Sequence, residues 1–451
     1  MWNNCKIYFK KIKIKKQNLK IILFRILFRI LYIFPIRKVI FFSSYEGKQY
    51  SCNPKYIFQS MYSDKFFFTY KYIWEKNDEN KIKNYEKIKL VKHNSFRYIF
   101  SIMTSKIIIT NSGLNPIFPL RKKQILINTW HGGGAYKRVG RDIDENTNGT
   151  SYYGLKKASE QTTFFISSSG LFTDIMSNSI ELEKEKFLKI GMPRNDIFFN
   201  KNMVNSFYFK IRDKFNLSND DKIVLYAPTF RGNTNSISKK TIDNLDYKKL
   251  LKLLNNKFKG NWKILYRGHY SLTNKSDNNN DIIDVSDYPD MQELLCASDI
   301  LVTDYSSSIW DFSFLKRPCF LYVPDLIDYK LERNFYTDIN NWPAFLIENN
   351  IQDSNYVEGG VDTNLCKVTT PQPSEYSNYY ILIDNMNYEA MNNNEEYSLV
   401  SDVYFNFSNL QFNIPTKFTA TDIPITPGYP PSPEAMEDMM MRRLSVFYSL
   451  L

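Results

Sequence analysis

Histidine is the side chain that exchanges protons near neutral pH, and this 451-residue chain contains only three. Two stand in motif-like strings: His131 in INTWHGGGAYKRVGRD and His269 in ILYRGHYSL. Glycines and cations surround both, and that company fits phosphate chemistry. Gly132 and Gly133 allow a ligand close to the backbone and expose N–H groups to an anion, and Lys137 adds charge one turn later. A tight turn around a buried histidine is the plain structural alternative. His93, in KLVKHNSF, lacks such neighbours and reads as a surface or satisfied core residue.

Other strings add phosphate-directed groups. TDYSSSIWDF places Ser306 and Ser307 where a helix should begin, a natural place for anionic oxygens. Serine is also a favoured helix cap, and Asp304 could orient a hydroxyl or a histidine or simply hold the turn. YAPTFRGN offers Thr229 and Arg231, GMPRND offers Arg194, and Arg267 stands two residues before His269. Arginine matches phosphate geometry with two parallel donors. A surface ion pair is the alternative for Arg194 and Arg231.

These groups need strands to carry them. KVIFFSS (38–44), FFFTYKYIW (66–74), KIIIT (106–110), QILINTW (124–130), TTFFISSS (162–169) and FLKIG (187–191) read as buried strands. A second series follows at 222–229, 262–269, 282–286, 299–307 and 318–325. Apolar strands separated by helical stretches predict parallel sheets covered on both faces. The two series imply an α/β protein with two doubly wound domains facing a cleft, with function at the carboxyl ends of the strands. The polar and glycine-rich strings all fall at such ends.

Charge and composition narrow the partners. The net charge is +12, but residues 361–451 hold four Lys/Arg against eleven Asp/Glu, leaving 55 against 36 before them. Eleven basic residues precede the first acidic one, Glu46. Residues 6–20 are strongly basic and lead into IILFRILFRILYIF (21–34), too short to span a bilayer. This predicts an amphipathic helix at an anionic membrane surface, its basic face toward the head groups; a basic helix packed on the protein itself is the alternative. No nucleic-acid-binding module is recognisable. Five dispersed cysteines and three histidines give no metal-ligand spacing, so neither a metal nor a cofactor is expected.

Together, NTWHGGGAYK, GMPRND, LYAPTFR, YRGH, ASDILVTDYSSSIWDF and RPCFLYVPD resemble the CDP-glycerol glycerophosphotransferase family of teichoic acid and capsule enzymes. The likeness runs in order over roughly residues 38–350. It implies a GT-B type fold on the cytoplasmic face of the cell membrane and a CDP-glycerol or CDP-ribitol donor. The acceptor would be a hydroxyl of a lipid-linked or polymeric molecule, and CMP would leave. On this reading His131 is the base and His269 stabilises the diphosphate or departing CMP. Arg194, Thr229, Arg231, Ser306 and Ser307 hold phosphates, with Asp304 in support. The expected organisation is a membrane segment (1–37), an acceptor domain (38–205), a donor domain (206–360) and an acidic tail (361–451). A nucleotide-sugar transferase of the same fold, or a non-catalytic membrane scaffold, are the rival readings.

Overall fold

The computed structural model describes residues 16–63, 70–77, 88–134, 136–143, 152–229, 245–257, 260–268, 281–339, 342 and 344–347, together with five short strand segments between 356 and 406. The chain divides into two compact units. Among the described residues the first holds 16–131 and 138–194, and the second holds 132–137 and the chain from Asn195 onward.

The first unit is built on Arg37–Ser43 (β1), Lys71–Lys76 (β2), Ile88–Lys92 (β3), Ser105–Thr110 (β4), Ile125–Asn128 (β5), Phe164–Ser167 (β6) and Phe187–Lys189 (β7). All seven pair in parallel in the order β3-β2-β1-β4-β5-β6-β7. In β1 the residues Val39 to Phe42 are all buried, as a strand covered on both faces requires. β3 was missed by the sequence reading. Only Val91 of its IKLVK run is buried, and its lysines belong to a charged sheet edge, so the apolar signal is weak. The helix Phe96–Thr104 starts at Ser95, whose hydroxyl accepts the Tyr98 N–H, and it buries Tyr98, Ile102 and Met103. Its last carbonyls do not go unpaired. Gln124 donates to Ile102 O (2.9 Å) and Arg121 to Met103 O (2.7 Å), where β4 begins at once.

The second unit repeats the plan with Asp221–Ala227 (β8), Asn261–Tyr266 (β9), Ile282–Asp284 (β10), Ile300–Thr303 (β11), Cys319–Tyr322 (β12) and Phe345–Ile347 (β13). These pair in parallel in the order β10-β9-β8-β11-β12-β13. Val368–Thr369 then adds an antiparallel edge strand to β13, so this sheet draws on sequence beyond residue 360.

Residues 16–28 form the expected helix, here α1, followed by a 3-10 turn at Arg29–Ile33. Its orientation corrects the expectation. Arg25 points into the protein and donates to Pro116 O (2.7 Å) and Phe118 O (3.0 Å), and burial lowers its pKa. Ile21 and Phe28 are buried, and Phe24 packs on the same core. The outward face is largely apolar: Leu19, Ile22, Leu23, Ile26, Leu27, Ile30 and Ile33 are each at least 40% exposed, with Lys16, Lys20 and Arg29 exposed beside them. Among the described residues no helix is long and apolar enough to cross a membrane.

Arg25→Ala should therefore free α1 from the 116–118 loop. Charged donors to carbonyls contribute about 1.5–3 kcal/mol, so we expect a lowered melting temperature and new proteolytic cleavage within residues 16–33. Unchanged unfolding and cleavage would show that apolar packing alone holds the helix.

Candidate active site

In the first unit, the turn after β5 carries His131. Thr129 continues the ladder by donating its N–H to Thr110 O (2.7 Å), and the chain then reverses at Trp130 with φ +53°. Left-handed backbone costs a side-chain-bearing residue about 1–2 kcal/mol, so other contacts must impose it. Asn53, fully buried in the helix Cys52–Ser63 (α2), supplies them. Its Nδ2 donates to Thr129 O (3.0 Å) and Trp130 O (3.1 Å), and its Oδ1 accepts the Arg194 N–H (3.1 Å).

Arg194 completes the brace. Gly191 turns the chain after β7 with φ +73°, a conformation that suits glycine, and leads it to Arg194. The Arg194 guanidinium donates to His131 O at 2.6 Å and to Cys52 Sγ at 3.2 Å. It is only 2% exposed. The sequence reading set it among the phosphate ligands; these contacts place it under the histidine turn.

His131 itself is exposed, with its ring stacked on Trp130 (centroids 4.8 Å apart, 27° between planes) and 5.7 Å from the Tyr45 ring. Its Nδ1 lies 2.9 Å from Asn111 O. A carbonyl can only accept, so the proton of the neutral ring resides on Nδ1 and Nε2 is the basic nitrogen. Asn111 is fixed in turn, its Oδ1 accepting the Tyr45 N–H at 2.8 Å.

In the second unit, Gly132–Lys137 attaches through Tyr136, a buried residue that the sequence reading did not single out. Its ring stacks on Trp310 (5.7 Å) and lies tilted against Trp342 (5.0 Å), and its carbonyl accepts the Tyr336 N–H at 2.7 Å. Lys137 bridges Phe335 in antiparallel fashion, and its Nζ lies 5.9 Å from the Tyr329 ring centroid. Gly132 is buried and Gly133 half-buried.

The turns after β8, β9 and β11 hold the other predicted groups. Both carboxylate oxygens of buried Asp304 accept the Thr229 N–H at 2.9 Å, so Asp304 holds the turn after β8. Arg267 continues from β9, its N–H on Tyr226 O (2.8 Å) and its guanidinium on Tyr288 O (2.6 Å). Ser306 and Ser307 precede the short helix Ser308–Phe312 and are half-buried. The Ser306 hydroxyl accepts from Ser308 N (3.2 Å) and from its hydroxyl (2.9 Å), whereas Ser307, at the cap position, makes no side-chain cap bond. His269 and Arg231 lie outside the described residues. Among the described residues no group of three or more His, Cys, Asp or Glu could hold a metal ion.

The chain was compared with known proteins. A family model described as CDP-Glycerol:Poly(glycerophosphate) glycerophosphotransferase matches residues 26–353. The teichoic acid poly(glycerol phosphate) polymerase of Bacillus spizizenii is 34% identical over 339 residues, which is 73% of this chain and 85% of that protein. The teichoic acid glycerol-phosphate transferase of Staphylococcus aureus is 32% identical over 344 residues, covering 71% and 84%. Among solved structures, a wall teichoic acid polymerase TagF variant soaked with CDPG superposes with a TM-score of 0.63 at 30% identity, covering 75% of this chain and 85% of that one.

The two serines should separate on substitution. Ser306→Ala removes a hydroxyl that accepts from the first helical residue and should cost about 0.5–1 kcal/mol of stability. Ser307→Ala removes no described bond and should stay within about 0.5 kcal/mol of the parent. Thermal unfolding of the two variants checks this, and equal losses would mean that both hydroxyls serve the turn.

Proposed function

The chain belongs to the CDP-glycerol:poly(glycerophosphate) glycerophosphotransferase family and is an enzyme of that kind, and from this premise we propose that it transfers glycerol phosphate from CDP-glycerol to a hydroxyl of a lipid-linked or polymeric acceptor in teichoic acid synthesis. The observation that carries the reading is His131: its Nδ1 is committed to Asn111 O, so Nε2 is the atom that accepts a proton. In the proposed step the acceptor oxygen attacks the glycerol-bearing phosphorus while its proton passes to Nε2. The bond from that phosphorus to the bridging oxygen breaks, and CMP departs with the electron pair. Proton removal by a positioned base contributes about 10²–10⁴ in rate.

The rest of the step is charge neutralisation. We assign the donor phosphates to Ser306, Ser307, Thr229, Arg231, Arg267, Lys137 and the N–H groups of Gly132 and Gly133. His269 is assigned the role of stabilising the diphosphate or departing CMP in this scheme. Arg194 and Asp304 act through the turns they hold, as their buried contacts support. The GT-B reading, two Rossmann-like domains, draws support from strand orders that in both units reverse beside the first strand. Glycerol phosphate is preferred to ribitol phosphate because the two relatives above are named for glycerol phosphate.

The same proposal puts the protein on the cytoplasmic face of the membrane. The support is the row of exposed apolar side chains on α1 and the 3-10 turn after it, from Leu19 to Ile33, with exposed Lys20 and Arg29 among them. A helix with one apolar face exposed lies in the plane of the lipid interface. Basic residues other than Arg25 before Glu46 add attraction to anionic head groups.

Two experiments test these assignments. His131→Ala and His269→Ala should each fold and lose about two orders of magnitude or more in CMP release from CDP-glycerol with membrane-derived acceptor; parent-like release by both would sink the assignment, and preference for CDP-ribitol would change the donor. Ile26→Glu combined with Ile30→Glu should prevent flotation with anionic vesicles, since burying each isoleucine contributes about 1 kcal/mol or more. Undiminished flotation would place the attachment elsewhere.

A further inference from the structure

The first unit contains a cavity of about 690 Å³ that the proposed proton transfer does not use. It lies where the sheet changes direction. Ser43 closes β1 and Thr110 closes β4, the neighbouring strands at which the order reverses, and both line it. Open parallel sheets take their ligands at that point, and the volume is within the range of small-molecule sites. We propose that this cavity receives the acceptor's head, an uncharged, hydroxyl-bearing glycosyl or polyol group carried on an apolar chain. The inference rests on the acceptor-hydroxyl reading of His131 given above.

Its position ties the cavity to the base. Thr110 in the wall precedes Asn111, whose carbonyl holds His131 Nδ1. Glu46 in the wall follows Tyr45, whose ring is 5.7 Å from His131 and whose N–H binds Asn111 Oδ1. Two of the lining residues are therefore each one position along the chain from a group that orients the histidine.

Its chemistry selects the ligand. Glu46 and Glu75 bring two carboxylates to the polar end, against Lys20 and His93. Glu75 is only 1% exposed and bonded to Ser43 and His93, and burial pushes its pKa up. Carboxylates accept hydrogen bonds from hydroxyls, and with as many acidic as basic side chains in the lining no excess of positive charge is offered to a phosphate, so these groups suit a polyol, unlike the phosphate-directed turns of the second unit. Much of the remaining lining is apolar and aromatic. Phe24 and Phe28 of α1 meet Phe118 and Tyr98, with Phe28 stacked on Phe118 at 5.4 Å. Aromatic faces of this kind pack against sugar C–H surfaces and alkyl chains. Because α1 forms one wall with its inward face and presents its apolar face outward, an alkyl chain leaving the cavity along α1 meets the surface assigned to the membrane.

The test uses the full chain, with octyl β-glucoside below its micellar concentration and octyl phosphate as probes in calorimetry. The glucoside should bind saturably and octyl phosphate at least about tenfold more weakly, one lost charged hydrogen bond's worth of affinity. The glucoside should also inhibit transfer competitively with acceptor and not with CDP-glycerol. Ile99→Trp, which fills the cavity from the helix Phe96–Thr104, should weaken the glucoside at least about tenfold. Glu46→Lys, at an exposed position, should weaken it about threefold or more and narrow the gap to octyl phosphate. Thermal unfolding verifies that both variants fold, and Glu46→Lys decides alone if Ile99→Trp does not. The proposal is overturned by absent glucoside binding, by octyl phosphate binding as tightly, by inhibition not competitive with acceptor, or by affinity that the folded variants leave unmoved. CDP-glycerol affinity, measured on the same proteins, should not change. If CDP-glycerol fails to bind the parent or to yield CMP while the glucoside still binds, the donor reading fails and the cavity assignment does not.

Discussion

The amide of Asn53 is neutral and fully buried, and most of what distinguishes the first unit's site hangs on it. Where β5 ends, the carbonyls of Thr129 and Trp130 turn away from the ladder. An unsatisfied buried carbonyl costs about 1–3 kcal/mol, and the left-handed backbone at Trp130 adds its own cost. Two donors from one amide satisfy both carbonyls, and its oxygen takes the Arg194 N–H. Arg194 then reaches His131 O. A single side chain thus couples α2, the β5 turn and the β7 turn, and the exposed imidazole inherits its position from groups that solvent does not reach.

The second unit meets the same requirement by a different route. At the end of β8 the N–H of Thr229 needs an acceptor, and the buried carboxylate of Asp304 offers both oxygens. Beside it, the hydroxyl of Thr303, the last residue of β11, donates to Ala227 O at 2.6 Å. Parallel strands leave unpaired backbone groups at their carboxyl ends, where glycines and polar side chains also gather for ligands. Some of those polar side chains must therefore serve the backbone. Motif membership alone does not separate the two duties; burial with backbone contacts marks Arg194 and Asp304, each 2% exposed, as serving the turns, while His131, Ser306 and Ser307 are less buried.

That distinction marks what the sequence could disclose. The strands with continuous apolar runs were legible, because a strand buried on both faces leaves no other explanation for KVIFFSS or KIVLYAPT. The strings after them were legible as turns at strand ends, which is where the described ones lie. The edge strand β3 was not, since lysines that guard an edge erase the apolar pattern. Asn53 was invisible because its partners are 76, 77 and 141 residues away in sequence. Helical periodicity identified α1 but misjudged its face. Arg25 looked like a lipid-facing cation until carbonyls more than 90 residues distant claimed it. Tyr136 announced itself only as an aromatic after three glycines, and its aromatic partners Trp310 and Trp342 come from far along the chain.

In the proposed membrane attachment, the inversion of α1 makes adhesion through this helix a sum of two forces with opposite responses to ionic strength. Attraction between the basic amino-terminal stretch and anionic head groups is screened as salt rises, the Debye length falling from about 10 Å at 0.1 M to about 3 Å at 1 M. Apolar burial of the Leu19–Ile33 face has no such dependence and strengthens with excluded salts such as sulfate. A helix bound by its basic face would let go in concentrated salt. One bound by the ridge that Arg25 leaves outward keeps its grip, and in the absence of lipid that ridge would turn copies of the protein toward one another.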